Sequence, residues 1–183
     1  GTLVSNILSL SDKVKVFSEC VYFARHIYDK NLDFNDLNEL FKISNNISNR
    51  IYFRNDLYIP ALNFYLNFIN SNIKNFSQLY NSLMKTFLES TSTEKKNIVL
   101  EYSNGEWRFI ETFLKINNKY KAFHIIRDPR AVVSSFKKIS FGDKYDYLYG
   151  IFNWLDSYNY YLKYKKKFNT KRYLFLKFED IHN

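Results

Sequence analysis

The sequence predicts an α/β fold of three layers, a mostly parallel sheet flanked by helices, and three observations carry that prediction. Past residue 95 short apolar segments alternate with helical ones: "IVLEY", "GEWRFIETFLK", "KAFHII", "DPRAVVSSFKK", a long helix over about 145–167, then "RYLFLKF". That alternation is the signature of a parallel sheet with helices on both faces. The first two strand segments are short apolar runs, as expected of buried strands. Finally, 46% of the 183 residues are hydrophobic and 20% aromatic, with only four Gly and two Pro. This composition suits a folded core and excludes collagen-like and disordered chains.

The first half is read element by element. In "TLVSNILSL" the residues Leu3, Ile7, Leu8 and Leu10 fall at helical spacing, so the chain opens on or just before a helix. "VKVFSE" reads as a short strand ending at Glu19, followed by a helical stretch from Cys20 to Tyr28. "DFNDLNELFKI" predicts a short helix with Asp33 as cap. Residues 44–59 carry no readable pattern. Pro60 suits the first position of a helix to about Asn70. Ser77 suits the cap of the next, in which Leu79, Tyr80, Leu83, Met84, Phe87 and Leu88 form one apolar face, read as core.

In parallel sheets ligands collect at the carboxyl ends of the strands. Those ends here are Glu101-Tyr102, Arg127-Asp128 and Glu179-Asp180. At the second, Asp128 fits a helix cap and Pro129 the first helical position, where its missing N–H costs nothing. A helix N-terminus has unpaired N–H groups and a partial positive charge. With Arg127 and Arg130 beside it, a phosphate or sulfate has a ready site. The alternative is that Arg127 pairs with a local carboxylate and the turn merely starts a helix.

At this junction a resemblance enters. "FHIIRDPRAVVSSF" resembles the segment with which the sulfotransferase family grips the 3′-phosphate of its donor, 3′-phosphoadenosine 5′-phosphosulfate (PAPS). The family uses an Arg at the strand end and a Ser eight residues on, here Arg127 and Ser135, with Ser134 as neighbouring alternative. Downstream, "NWLDSYNYYLKYKKKFNTKRYLFLKFEDI" is similar to the family's Trp-bearing helix, basic turn and strand ending in Glu-Asp. Its landmarks Trp154, Glu179 and Asp180 are read as scaffold. "GTLVSNIL" resembles the end of the family's phosphate-cradling loop, which implies that Gly1 and Thr2 touch the 5′-phosphosulfate.

The closest patterns are the protein-tyrosine and bacterial sulfotransferase branches, which implies a P-loop NTPase-like sulfotransferase fold. The chain is expected to be one domain over 1–183, cut inside the phosphate loop at its start, with a cut at its end left open. Residues 30–95 match nothing in the family and are expected to be a helical, substrate-facing region.

Sulfuryl transfer needs a base for the acceptor's proton and positive charge on the leaving phosphate, much as in phosphoryl transfer. In the tyrosine branch a Glu at the end of the strand after the first helix resembles that base, which implies Glu19. Glu101 competes for the role. The family often carries a Lys after that second strand end, where this chain has Tyr102, so either a Lys or Arg from elsewhere supplies the charge, with Arg54 and Arg108 as candidates, or catalysis is impaired. His124, inside a strand, is read as packed.

The resemblance thus implies PAPS as donor, adenosine 3′,5′-bisphosphate as product, a hydroxyl or amine acceptor and no metal. A net charge of +9 favours anionic partners without choosing among them. "KYKKKFNTKR" is either a nucleic-acid patch or, as preferred here, a solvated helix end whose lysines complement the dipole. One Cys allows no internal disulfide, and no apolar run approaches the roughly 18 residues of a membrane span. A cytoplasmic protein is the expectation. A catalytically impaired binding module and a basic nucleic-acid binder are the rival readings.

Overall fold

The structure is a computed structural model that describes residues 2–18, 21–28, 31–55, 58–91, 98–103, 105–138 and 146–181. It divides into two compact units, Gly1–Asn104 and Gly105–Asn183.

The first unit holds α1 (Thr2–Ser9), β1 (Val14–Ser18), α2 (Phe23–His26), α3 (Leu37–Asn55), α4 (Ala61–Asn70), α5 (Phe76–Thr91) and β2 (Ile98–Tyr102). β1 and β2 pair in parallel, Val14 opposite Ile98 and Ser18 opposite Tyr102. The core gathers Phe17, Phe23, Leu40, Ile47, Ile51, Phe64, Leu79, Leu83 and Phe87, all buried. Phe87 holds it together, its ring 5.0 Å from that of Phe17 and 5.5 Å from that of Phe64.

Four expectations for this unit need correction. The helix expected over "DFNDLNELFKI" starts later and continues through the unreadable stretch to Asn55. Its Ser and Asn residues are poor helix formers. They are carried because Leu40, Ser44, Ile47, Ser48 and Ile51 form one buried face. The two serines are satisfied there: Ser44 donates to the Leu40 carbonyl at 2.9 Å and Ser48 to that of Ile59 at 2.7 Å. The cap of this helix is Asp36, which accepts the Asn38 N–H at 2.8 Å, whereas Asp33 accepts the Asn35 N–H in the turn before it. Likewise Asn75, not Ser77, caps α5, accepting the Gln78 N–H at 3.0 Å. Between Cys20 and Tyr28 the described helix is a single turn, α2.

The second unit contains a 3-10 turn (Glu106–Phe109), α6 (Ile110–Ile116), β3 (Ala122–Ile126), α7 (Pro129–Lys138), α8 (Asp146–Lys167), β4 (Tyr173–Lys177) and a second 3-10 turn (Phe178–Ile181). β3 and β4 are parallel, in register from Ala122 opposite Tyr173 to Ile126 opposite Lys177. The predicted parallel pairing and flanking helices are present. Among the described residues the strands form two two-stranded sheets, one per unit.

Leu114, Tyr164 and Tyr173 form the buried centre of this unit. His124 is buried beside it as the sequence suggests, with Nδ1 2.7 Å from the Tyr173 hydroxyl and Nε2 2.8 Å from the Ser157 hydroxyl. Burial lowers its pKa to about 4, so it sits as a neutral packing group. Arg172 donates to the carbonyls of Leu114, Asn117 and Tyr120, tying the end of α6 and its loop to the start of β4. Gly150 permits close contact of α8 with α7, since a Cβ there would stand 2.8 Å from the Phe136 ring.

Candidate functional site

The site predicted in the second unit starts where β3 ends. Arg127 follows the strand directly and its side chain is exposed. Its guanidinium lies over the Phe178 ring at 5.0 Å from the centroid. Among the described residues no carboxylate pairs with it, so the local-ion-pair alternative does not apply there. Ser135 lies two turns along α7, half-buried, while Ser134 is exposed.

The peptide unit joining Arg127 to Asp128 is held at both ends. Its carbonyl accepts the Trp154 indole N–H at 2.7 Å, and its N–H donates to Glu179 Oε1 at 2.8 Å. The register explains the second bond. Ile126 stands opposite Lys177, so the next two steps along the parallel strands bring Arg127 beside Phe178 and Asp128 beside Glu179. Trp154 is itself fixed by stacking on Tyr158, centroids 5.2 Å apart and planes 7° from parallel. Tyr161 continues the series, stacked at 3.7 Å on Phe175 of β4.

Asp128 caps α7 as expected, but it takes up the donors that the sequence reading left for an anion. Its carboxylate accepts the Arg130 N–H at 2.8 Å and also engages the Ala131 N–H, while its carbonyl takes the Val132 N–H. Pro129 has no N–H to offer. Arg130 folds back on the same carboxylate, Nη2 to Oδ2 at 2.6 Å, and with its own N–H brings the Asp128 pKa down to about 2. The donors at this junction that Asp128 does not take up therefore include the Arg127 side chain and the α7 hydroxyls, whereas the first N–H groups of the helix and the Arg130 Nε and Nη2 are engaged.

The remaining predicted site residues belong to the first unit. Thr2 is the first residue of α1. Gly1 and Glu19 lie outside the described residues, Glu19 directly after the last residue of β1. Glu101 is described: half-buried at the end of β2, its Oε1 accepts the N–H of Tyr22 at 2.5 Å and of Val21 at 3.2 Å. These bonds steady Tyr22 in a left-handed conformation, φ 52°, unusual for a bulky residue. Desolvation raises the Glu101 pKa, against the opposing pull of those N–H groups, the Ser103 hydroxyl and the Arg50 charge. Of the cations offered in place of the missing Lys, Arg108 is engaged elsewhere: its Nε meets Asp156 Oδ2 at 2.7 Å, and the same oxygen accepts the Trp107 indole N–H at 2.6 Å. The side chain of Arg54 is outside the described residues.

Among the described residues no group of three or more His, Cys, Asp or Glu stands ready to hold a metal, and no helix is long and apolar enough to cross a membrane. Sequence reasoning recognised Trp154 and Glu179 as landmarks without finding their shared target. The parallel register was the available signal for Glu179, and nothing in the sequence pointed Trp154 at a backbone carbonyl.

Parallel strands that turn through a capped residue into a helix, with polar groups at their carboxyl ends, define an α/β protein of the kind that binds ligands at strand ends. Within that class the chain belongs to the sulfotransferase family, whose profile (Sulfotransferase family) matches residues 1–183, the whole chain. No curated protein and no solved structure matches it.

Proposed function

We propose that this chain works as one sulfotransferase-like domain that moves a sulfuryl group from PAPS to a hydroxyl or amine acceptor, with residues 30–95 facing the acceptor. The observation that carries the reading is the Arg127 guanidinium, exposed at a parallel strand end with no carboxylate partner among the described residues and a helix bearing Ser135 directly after it. In this reading Arg127 and Ser135 hold the 3′-phosphate, and Gly1 and Thr2 hold the 5′ side.

As the acceptor oxygen or nitrogen bonds to sulfur, Glu19 takes its proton. The bond between sulfur and the 5′-phosphate oxygen breaks, and adenosine 3′,5′-bisphosphate leaves with the electron pair. Fixed donors around the leaving phosphate lower the barrier by stabilising the charge that develops there. Glu101 is the alternative base, favoured by its desolvated carboxyl, whose raised pKa suits proton uptake. Glu19→Gln and Glu101→Gln separate the two, because loss of the base abolishes turnover while leaving bisphosphate affinity intact.

A second reading is a module that binds the nucleotide without turnover. It is favoured by Tyr102 at the position of the family's Lys and by the engagement of Arg108 with Asp156. Calorimetric titration with adenosine 3′,5′-bisphosphate against ATP tests the donor assignment common to both. The bisphosphate is expected to bind more tightly, and Arg127→Ala to lose about 1.5–3 kcal/mol of that binding, the scale of a hydrogen bond to a charged group. Equal affinity for the two nucleotides, or an unchanged Arg127→Ala, removes the assignment. Tight binding with no transfer to any hydroxyl or amine acceptor favours the module.

A further inference from the structure

We infer that Trp154 and Glu179 are positioning residues for nucleotide recognition, acting through the single peptide unit between Arg127 and Asp128; the inference rests on the donor reading above. Rotation of that peptide changes ψ of Arg127 and φ of Asp128 together, and so changes the direction of the Arg127 side chain relative to the start of α7. The Trp154 indole N–H fixes the carbonyl end at 2.7 Å and the Glu179 carboxylate fixes the N–H end at 2.8 Å. The residue before a proline is already restricted to extended geometry, and the proline ring sets the next φ, so little freedom remains on the Asp128 side. The freedom left at the junction is the ψ of Arg127, which the two bonds remove.

Neither bond is part of the α7 cap or of the described β3–β4 ladder. Asp128 caps α7 without help from Glu179, and the described β3–β4 pairing ends at Ile126 and Lys177. The 3-10 turn that supplies Glu179 also supplies Phe178, whose ring lies under the Arg127 guanidinium. The same four-residue turn thus holds both the backbone and the side chain of Arg127. A preorganised cation binds a phosphate more tightly than a mobile one because less ordering is left to occur on binding.

The test measures the affinity ratio of adenosine 3′,5′-bisphosphate to adenosine 5′-monophosphate, which isolates the 3′-phosphate contact. Glu179→Ala and Trp154→Phe, the second retaining an aromatic ring on Tyr158, should each reduce the ratio by about fivefold to tenfold, the scale of one hydrogen bond. Glu179→Gln, which keeps an acceptor oxygen, should restore most of it. In an Arg127→Ala background Glu179→Ala should have no further effect on the ratio, a result that loss of general stability does not produce. A wild-type ratio that survives unchanged in both Glu179→Ala and Trp154→Phe overturns the positioning role alone. So do additive losses in the double variant. A wild-type protein with no preference for the 3′-phosphate overturns the donor reading, and the positioning role with it.

Discussion

Acid should weaken the second unit through His124 before its carboxylates come into play. The imidazole is buried and bonded at both nitrogens, and burial lowers its pKa from 6.5 to about 4. Between those two values the unfolded chain binds a proton that the folded chain refuses, so stability is complete above about pH 6.5 and falls as the pH drops towards 4. The two pKa values give a loss of about 2 kcal/mol between pH 7.5 and 5, and about 3 kcal/mol by pH 4. Asp128 and Glu111, each held down to about 2, lose their stabilisation only below their ordinary values of 3.8 and 4.5, in a separate, lower window. Both tryptophans of the chain, Trp107 and Trp154, lie in the second unit, so urea unfolding followed by tryptophan fluorescence reports on it. The His124→Gln variant can still hydrogen-bond but does not titrate, and it should lose most of the difference between pH 7.5 and 5. If it keeps the wild-type slope, the imidazole is not the group responsible and the argument fails.

Other expectations follow from single residues. Arg172→Ala leaves the carbonyls of Leu114, Asn117 and Tyr120 without their donor and should cost about 3 kcal/mol in the same fluorescence assay, with Arg172→Lys recovering only part of it because an ammonium lacks the guanidinium fork. Asn75→Ala should destabilise the first unit by about 1 kcal/mol and Ser77→Ala by much less, measured by urea unfolding followed by circular dichroism, since Asn75 supplies the cap of α5.

Legibility in the sequence followed the range of the interaction. The face Leu79, Tyr80, Leu83, Met84, Phe87 and Leu88 is readable because period alone defines it; the first five side chains are buried and Leu88 is half-buried. β3, α7 and the strand-end position of Arg127 were readable because apolar run, cap and proline are adjacent in the chain. α3 was lost after Ser44 because its Asn and Ser residues argue against a helix, and what outweighs them is burial against the rest of the unit. The caps Asp36 and Asn75 lie three residues after Asp33 and two before Ser77, since Asx and Ser residues crowd both boundaries and only hydrogen-bond geometry selects among them. The bonds to the Arg127–Asp128 peptide span 27 and 51 residues. Without the register of β4 against β3, no local pattern reveals them.

The net charge of +9 bears differently on the proposed function once the cations are located. In the second unit many of them serve the protein itself. Lys115, Lys163 and Lys167 surround Glu111, the bond from Lys115 doing most to bring that carboxyl down to about 2. Lys165 lies over the Tyr161 ring, Arg108 and Arg130 are paired with Asp156 and Asp128, and Arg172 spans three carbonyls. The lysine-rich end of α8 therefore resembles a helix terminus stabilised by the Glu111 carboxylate of α6 and by its own tyrosine rings more than a continuous nucleic-acid patch. Arg127 differs in kind: its planar group rests on a ring, its backbone is bonded from two sides, and its donors face no described carboxylate. A cation resting on a ring and facing no described carboxylate favours recognition of a single phosphate in fixed geometry, whereas a mobile, dispersed charge would serve a long polyanion. If affinity for single-stranded RNA is unchanged in Arg127→Ala and falls steeply with salt, dispersed charge is the better account.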